Sequence, residues 1–218
     1  MDILKKLNIK TNNEKIYLQA LTHTSYSNEH ENCESYERLE FLGDAVLEVI
    51  ISDYLFKEEN LEEGIMTKMR ASYVCEEACA TYSRELKFTN LIRLGSGEIE
   101  ANETILADVF ESFVGATYLD QGFDFTKNMV LKIITKYISK GIDFLHDYKS
   151  ELQELVQTVK KSVVYEIIDE KGPAHDRIFT CQVKVDNLVM GVGKGSSKKQ
   201  AEQEAAKVAL SKQVKTNS

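Results

Sequence analysis

Apolar residues recur at helical spacing from the amino terminus to about residue 140. No stretch of alternating β-branched residues interrupts this part, and glycines fall between the apolar stretches. The pattern therefore predicts an all-α domain. The predicted helices span residues 14–21, 36–56, 63–73, 76–86, 104–120 and 123–138.

The pattern changes after residue 146, where an amphipathic helix, three strand-like segments and an alanine-rich helix follow one another. These segments span residues 147–160, 163–168, 178–185, 188–193 and 198–212. Ser196 or Ser197 would cap the closing helix. We therefore predict a multidomain chain, with an all-α domain at 1–141, a linker at 142–146 and a small α+β domain of α-β-β-β-α order at 147–218.

Charge is divided unevenly between these two parts. The 218 residues carry a net charge of −8, which by itself argues against a nucleic-acid partner. Residues 1–146, however, hold 15 basic and 25 acidic side chains, whereas residues 147–218 hold 12 basic and 10 acidic ones. An acidic domain joined to a mildly basic one indicates two domains with separate tasks.

Two of the predicted helices carry carboxylates among apolar residues. In the helix at 36–56, the acids fall in one narrow stripe, and apolar residues cover most of the remaining circumference, so we expect this helix to be buried nearly all round. The acids of the stripe are Glu37, Glu40, Asp44 and Glu48, and the apolar residues include Phe41, Leu42, Val46, Val49 and Ile50. Asp108 and Glu111 are three residues apart in a second apolar helix, which we also expect inside the core.

Isolated buried carboxylates are costly unless they are paired, protonated or bound to a metal, and neither segment has enough basic residues to neutralise its acids. Glu40, Asp44, Asp108 and Glu111 would converge if the two helices packed antiparallel or crossed closely. An all-oxygen site of this kind favours Mg²⁺ or Mn²⁺, and such ions promote phosphodiester hydrolysis. The alternative is that these acids are solvated surface groups or interact with helix dipoles.

Other site types lack their motifs. No histidine follows a glutamate by three residues, as a di-iron carboxylate bundle requires, and neither HExxH nor GxxxxGK[ST] occurs. The glycines at 191, 193 and 195 do not form a nucleotide-binding pattern, so we interpret this stretch as a turn and expect no nucleotide cofactor. The four cysteines form no CxxC pair and are expected to be reduced thiols. With no secretory signal or membrane span in the pattern, we expect a cytoplasmic protein with no membrane partner.

Polar residues in the second part form three separated groups. Lys194, Lys198 and Lys199 surround the amino terminus of the closing helix, where backbone N–H groups add to the attraction for phosphate. His175 lies in a loop, and Gln153 and Gln157 lie one turn apart on the first helix of this part. Each group alone is typical of a solvated surface, but together they fit a binder of an A-form RNA duplex.

Residues 37–47 resemble the defining motif of the ribonuclease III family over its whole length. Supporting segments are residues 21–26, 63–64, 70–71, 105–108 and 118–120. The second part resembles a double-stranded-RNA-binding domain at residues 148–149, 152–154, 172–175, 198–199 and 201–202. The resemblance covers nearly all of the chain.

The resemblance implies a homodimeric endoribonuclease that cuts double-stranded RNA to leave 5′-phosphate and 3′-hydroxyl ends, in the processing of rRNA, mRNA and small RNAs. It implies that Glu40, Asp108 and Glu111 bind Mg²⁺, with Mn²⁺ as a substitute, and that Asp44 completes the catalytic acids. The positions that it assigns to the cleft are Glu37 and Glu63, and those that it assigns to RNA are Gln153, Gln157, His175, Lys198 and Lys199. Residues 100–104 depart from the basic, glycine-rich loop of many relatives. A non-cleaving RNA-binding protein of the same fold is the alternative, although such a protein would be expected to lose acids.

Overall fold

The computed structural model describes residues 2–57, 61–97, 100–145, 147–158, 161–172 and 177–216. Residues 213–216 are described by their backbone only. The chain divides into two compact units, residues 1–145 and 146–218. Within the described ranges, no helix combines the length and apolar character needed to cross a bilayer.

The first unit is helical throughout its described residues, as predicted. Its helices are α1 (Asp2–Lys6), α2 (Glu14–Ala20), α3 (Thr24–Glu29), α4 (Glu37–Lys57), α5 (Glu63–Val74), α6 (Glu76–Leu86), α7 (Glu103–Gln121) and α8 (Phe123–Ile138), with a 3₁₀ turn at Phe88–Asn90. The sequence pattern did not predict α1 and α3. Both are too short to repeat an apolar spacing over several turns.

α7 is the central helix of this unit, and its burial agrees with the prediction. Asn102 begins the helix by accepting a hydrogen bond from the backbone N–H of Ile105, at 2.9 Å. Most side chains from Ile105 to Thr117 are buried, including Phe110 and Phe113 at 1% exposure each. Because neighbouring helices enclose α7, polar groups on it are withdrawn from water.

α4 is not buried all round, and the prediction that it would be is wrong. Leu47, Ile50 and Ile51 are fully buried, but Phe41 is 82% exposed and Val49 is 55% exposed. Helical periodicity identifies apolar positions without showing which of them a neighbouring helix covers. One side of α4 packs on the core of this unit, and another side presents large apolar groups to solvent.

Glycines allow α4 and α7 to cross in backbone contact. A Cβ atom on Gly115 would lie 2.3 Å from the carbonyl oxygen of Leu39. Gly43 is in similar contact with the backbone of α7. Without side chains at these two positions, the helices approach more closely than larger residues would permit.

The end of the first unit is fixed by an aromatic cluster. Phe144 packs against Tyr73, Tyr82 and Tyr137, with ring centroids 5.5–6.2 Å apart. The backbone N–H of Phe144 also donates to the hydroxyl of Ser72, at 2.8 Å. The first residues after position 141 are therefore attached to the helical core.

The second unit has the predicted α-β-β-β-α order. Its elements are α9 (Tyr148–Thr158), β1 (Val163–Lys171), β2 (Ile178–Val185), β3 (Leu188–Gly195) and α10 (Lys198–Thr216). The strands form an antiparallel sheet in the order β1-β2-β3. Asp186 and Asn187 both have positive φ angles and form the two-residue turn between β2 and β3.

One face of this sheet packs on the two helices. Cys181 and Val183 on β2, together with Leu152 and Val156 on α9, are at most 1% exposed. Alanines of α10 complete the same core; they are Ala201, Ala205, Ala206 and Ala209.

The interpretation of residues 191–195 as a turn is wrong, because the strand predicted at 188–193 continues to Gly195 and β3 includes all five of these residues. A Cβ atom on Gly191 would lie 2.1 Å from the carbonyl oxygen of Ala205, and one on Gly193 would lie 2.2 Å from the nitrogen of Ala205. The glycines are therefore required by close packing of α10 on the strand.

Candidate active site and nucleic-acid interface

The crossing of α4 and α7 brings four acids into one electrostatic neighbourhood. Glu40 and Asp44 lie on α4, and Asp108 and Glu111 lie on α7. Asp44 is exposed, whereas the other three are partly buried. The glycine contact lies beside these acids, since Gly43 precedes Asp44 and touches the backbone of Glu111. The helix crossing therefore brings the acids within electrostatic range of one another.

Glu111 is the most strongly perturbed of these acids. Burial raises its pKa to about 8, and the carboxylates of Asp44, Asp108 and Glu40 add to the rise in that order. The neighbouring thiol of Cys79 acts in the opposite direction and lowers this pKa. Near neutral pH, this carboxylate needs a nearby positive charge to stay ionised.

Glu40 and Asp108 are perturbed in the same direction. Burial raises the pKa of Glu40 to about 7, with further contributions from Asp108, Glu37 and Asp44. The pKa of Asp108 is also raised by burial, against the effect of a hydrogen bond from Tyr36. Perturbed acids that act on one another in a cluster are typical of a functional site.

The described residues supply little positive charge to these acids, apart from His23, which lowers the pKa of Asp108. Among the described residues, none of the four forms an ion pair with a lysine or arginine. Across the same ranges, no group of three or more His, Cys, Asp or Glu side chains is arranged so that it could hold a metal ion. All four side chains are carboxylates, the donor type that hard divalent cations prefer, but they would have to rearrange to coordinate one together.

Two residues beside the acids were not recognised from the sequence as part of a site. The phenol of Tyr36 donates to Oδ2 of Asp108 at 2.9 Å, and burial together with the nearby carboxylates raises the pKa of this phenol, so it remains a donor. Cys79 is fully buried; its thiol donates to the carbonyl of Val74 at 3.6 Å and also lowers the pKa of Glu111. Tyr36 begins the predicted helix at 36–56, and Cys79 lies within the predicted helix at 76–86. Both positions are equally typical of core residues, so no sequence signal marked either one as part of a site.

The two predicted cleft acids lie on different helices, Glu37 on α4 and Glu63 on α5. Glu37 is on the first turn of α4 and contributes to the raised pKa of Glu40. Glu63 begins α5 and lines an open cleft between α4 and α5, alongside Val49 and Phe56. Of these two acids, Glu37 is the one that acts electrostatically on a member of the cluster.

In the second unit, exposed lysines surround the amino terminus of α10. Ser197 caps the helix, since its hydroxyl accepts from the backbone N–H of Gln200 at 3.1 Å. Lys198 and Lys199 are exposed in the first turn, and Lys194 is exposed on β3. Three exposed lysines thus lie on or next to the first turn of α10, where a helix amino terminus adds to the attraction for phosphate.

Two of the other predicted RNA contacts lie on α9. Gln153 and Gln157 are exposed, while Leu152 and Val156, the residues just before them, are buried. The amides thus lie on the solvent side of the helix. His175 lies outside the described residues.

Comparisons with known proteins match both units. Residues 13–138 match the family described as Ribonuclease-III-like, and residues 148–213 match the double-stranded RNA binding motif. These assignments agree with the all-α domain and the small α+β domain that the sequence predicted.

Relatives extend the match over nearly the full chain. A ribonuclease 3 from Halalkalibacterium halodurans is 49% identical over 96% of this chain and 83% of that protein. A ribonuclease 3 from Aster yellows witches'-broom phytoplasma is 44% identical over 98% of this chain and 92% of that protein.

A solved structure supports the fold of the helical unit. The nuclease domain of ribonuclease III from Campylobacter jejuni, described for structural flexibility in a region involved in dimer formation, is 33% identical and superimposes with a TM-score of 0.57. The match covers 62% of this chain and 94% of that one. With both units matched in this order, the chain belongs to the ribonuclease III family of endoribonucleases specific for double-stranded RNA.

Proposed function

We propose that the protein is a Mg²⁺-dependent endonuclease that hydrolyses phosphodiester bonds within RNA duplexes and leaves 5′-phosphate and 3′-hydroxyl ends. The observation that carries this proposal is the mutual repulsion of Glu40, Asp44, Asp108 and Glu111 at the crossing of α4 and α7. Acids held this way are costly unless a cation joins them.

In this proposal, Glu40, Asp108 and Glu111 hold the cation, and Asp44 completes the catalytic acids. Carboxylate oxygens suit Mg²⁺ and accept Mn²⁺ in its place. When bound, the cation would supply a hydroxide from its coordinated water and neutralise charge on the phosphate. The protein positions the acids on two packed helices, which limits their movement during the reaction.

The second unit would hold the substrate. We propose that Gln153 and Gln157 contact 2′-hydroxyl groups and that Lys194, Lys198 and Lys199 contact phosphates, with His175 at a further contact. The exposed positions of the two glutamines and three lysines support this assignment. Recognition would depend on duplex shape, because the deep A-form major groove excludes side chains. Residues 1–141 would cut, residues 147–218 would bind, and residues 142–146 would connect them.

We further propose that two copies pair through α4. Phe41, Val49 and Phe56 share one side of this helix and are 82%, 55% and 78% exposed. An open cleft of about 610 Å³ lies next to this strip, between α4 and α5. Large exposed apolar strips are typical of interfaces, and a second copy would cover this one. Two sites in one homodimer would cut the two RNA strands.

The expected setting is the cytoplasm, where the enzyme would process rRNA, mRNA and small RNAs. No sequence motif in the chain selects one of these substrates, because the proposed contacts reach phosphates and 2′-hydroxyls that every duplex shares.

Replacing one proposed ligand tests this function. Glu111→Gln keeps the size of the side chain and removes its charge. With a long RNA duplex and saturating Mg²⁺, we expect cleavage to fall by about 100-fold or more, whereas duplex binding without Mg²⁺ should stay within about twofold of wild type.

Glu103→Gln is the matched control, because Glu103 lies on the same helix but pairs with Arg84 at the surface. This variant should cleave like wild type. Wild-type cleavage by Glu111→Gln, or cleavage by the wild-type protein without any divalent cation, would contradict the proposed function.

A further inference from the structure

Tyr36 connects the two acid-bearing helices. Its ring is 2% exposed, and its hydroxyl donates to Oδ2 of Asp108 at 2.9 Å, although the two residues are 72 positions apart. No described protein group donates a hydrogen bond to Oδ1 of Asp108. The phenol therefore fixes one oxygen of this carboxylate and leaves the other for a further partner.

The backbone of Tyr36 is also hydrogen-bonded, at both its N–H and its carbonyl. Its N–H donates to the carbonyl of Thr22 at 2.9 Å, and its own carbonyl accepts from the N–H groups of Leu39 and Glu40 at 2.8 and 2.9 Å. The residue thus begins the first turn of α4, which carries Glu40. Through its two ends, Tyr36 sets the position of Asp108 relative to Glu40.

We propose that Tyr36 is a positioning residue for the cation site, one that orients Asp108 so that its free oxygen can join Glu40 in binding the ion. This inference rests on the proposed function, since it assumes that these acids bind a divalent cation. Removing a hydrogen-bonding partner of a metal ligand typically lowers metal affinity or activity by about 10- to 100-fold. Tyr36 would act through Asp108 and would not contact the substrate.

The chain contains a matched control for this hydrogen bond. Tyr17 is fully buried, and its hydroxyl donates to Oδ2 of Asp120 at 2.8 Å. Asp120 lies on α7, as Asp108 does, but more than three turns further along the helix. Tyr17→Phe therefore removes the same kind of bond from the same unit without changing the acid cluster.

The test compares full-length Tyr36→Phe and Tyr17→Phe with wild type. Binding of Mn²⁺ is followed by electron paramagnetic resonance, without RNA, and the Mg²⁺ dependence of duplex cleavage is measured in parallel. We expect Tyr36→Phe to bind Mn²⁺ about 10-fold more weakly and to need correspondingly more Mg²⁺ for half-maximal cleavage. Its KM for duplex RNA at saturating Mg²⁺ should be unchanged.

Tyr17→Phe should keep wild-type cation binding, although its thermal midpoint should fall by an amount similar to that of Tyr36→Phe. Equal cation affinity in Tyr36→Phe and wild type, or equal weakening in both variants, would overturn the positioning role. Wild-type cleavage that depends on Mg²⁺ and on Glu111 establishes the proposed function separately, so a negative result with Tyr36→Phe would reject only this inference.

Discussion

A Cβ atom on Gly43 would lie 1.8 Å from the backbone carbonyl oxygen of Glu111, which is far shorter than any contact between non-bonded atoms. The carbonyl of a proposed metal ligand on α7 thus lies directly against α4. Asp44 is the next residue on α4, so the same contact places the Asp44 backbone beside that of Glu111. The spacing of the acids depends on the absence of a side chain at residue 43.

Gly43→Ala should therefore separate the two helices. The added methyl group meets backbone atoms, which cannot rotate away as a flexible side chain can. We expect the free energy of unfolding to fall by about 3 kcal/mol, at the upper end of the usual cost of overpacking, and cleavage to be lost even at temperatures where the protein remains folded. Chemical denaturation and duplex cleavage measure the two effects.

Gly64→Ala provides the control for this substitution. Gly64 is the second residue of α5, and a Cβ atom there would have no neighbour within 4 Å. Alanine should leave stability unchanged or raise it by about 0.5–1 kcal/mol, because it favours the helix. Equal stability of Gly43→Ala and wild type would show that the helix crossing tolerates a larger spacing.

The raised pKa values predict how stability changes with pH when no metal is bound. The folded-state pKa values of Glu40 and Glu111, about 7 and about 8, lie above the ordinary value of 4.5. The folded state therefore holds these protons more tightly than the unfolded chain does. The associated stability is fully present below about pH 4.5 and is lost as the pH rises through 7 and 8.

Glu111→Gln isolates this effect, because glutamine stays neutral at every pH. Without divalent cations, its thermal midpoint should rise relative to that of wild type as the pH increases from 6 to 9. Millimolar Mg²⁺ should cancel this advantage at pH 9 by stabilising the wild-type carboxylates. A constant difference between the thermal midpoints of the two proteins across the whole pH range would show that the pKa of Glu111 is not raised in the folded state.

Local periodicity was enough to locate most helices and strands. The prediction for β2, residues 178–185, coincides with Ile178–Val185, and the prediction of residues 36–56 for α4 is within one residue of Glu37–Lys57 at each end. Both segments are long enough to repeat their spacing several times. The same spacing could not show that Phe41 is exposed, because exposure depends on which neighbours the rest of the chain supplies.

The candidate acids stood out in the sequence because carboxylates are rare in apolar helices. How closely they approach could not be predicted, since glycine within a helix also occurs where no close contact exists, as at Gly64. The role of Tyr36 was hidden for a related reason. Its partner, Asp108, is 72 residues away, and no local pattern encodes such a pairing.

Phe41→Asp tests the proposed pairing of two copies. A charge at this 82% exposed position should prevent a second copy from covering the apolar side of α4. In analytical ultracentrifugation at micromolar concentration, we expect wild type to sediment as a dimer and the variant as a monomer with unchanged helical content. Leu188→Asp, at a 69% exposed position in the second unit, should remain dimeric. A monomeric wild-type protein would reject the homodimer, and a dimeric Phe41→Asp would reject this interface.

The salt dependence of RNA binding tests the lysines around α10. If Lys198 and Lys199 each neutralise one phosphate, replacing either with alanine should weaken binding to all duplexes alike and lower the slope of log K against log salt by about 1. Lys184→Ala is the control, because Lys184 pairs with Glu166 at 2.7 Å on the sheet face opposite the helices. Filter binding to two duplexes of unrelated sequence, over a range of salt concentrations, measures both quantities. An unchanged slope in Lys198→Ala and Lys199→Ala would place the phosphate contacts elsewhere on the second unit, and a loss confined to one duplex would contradict recognition by shape.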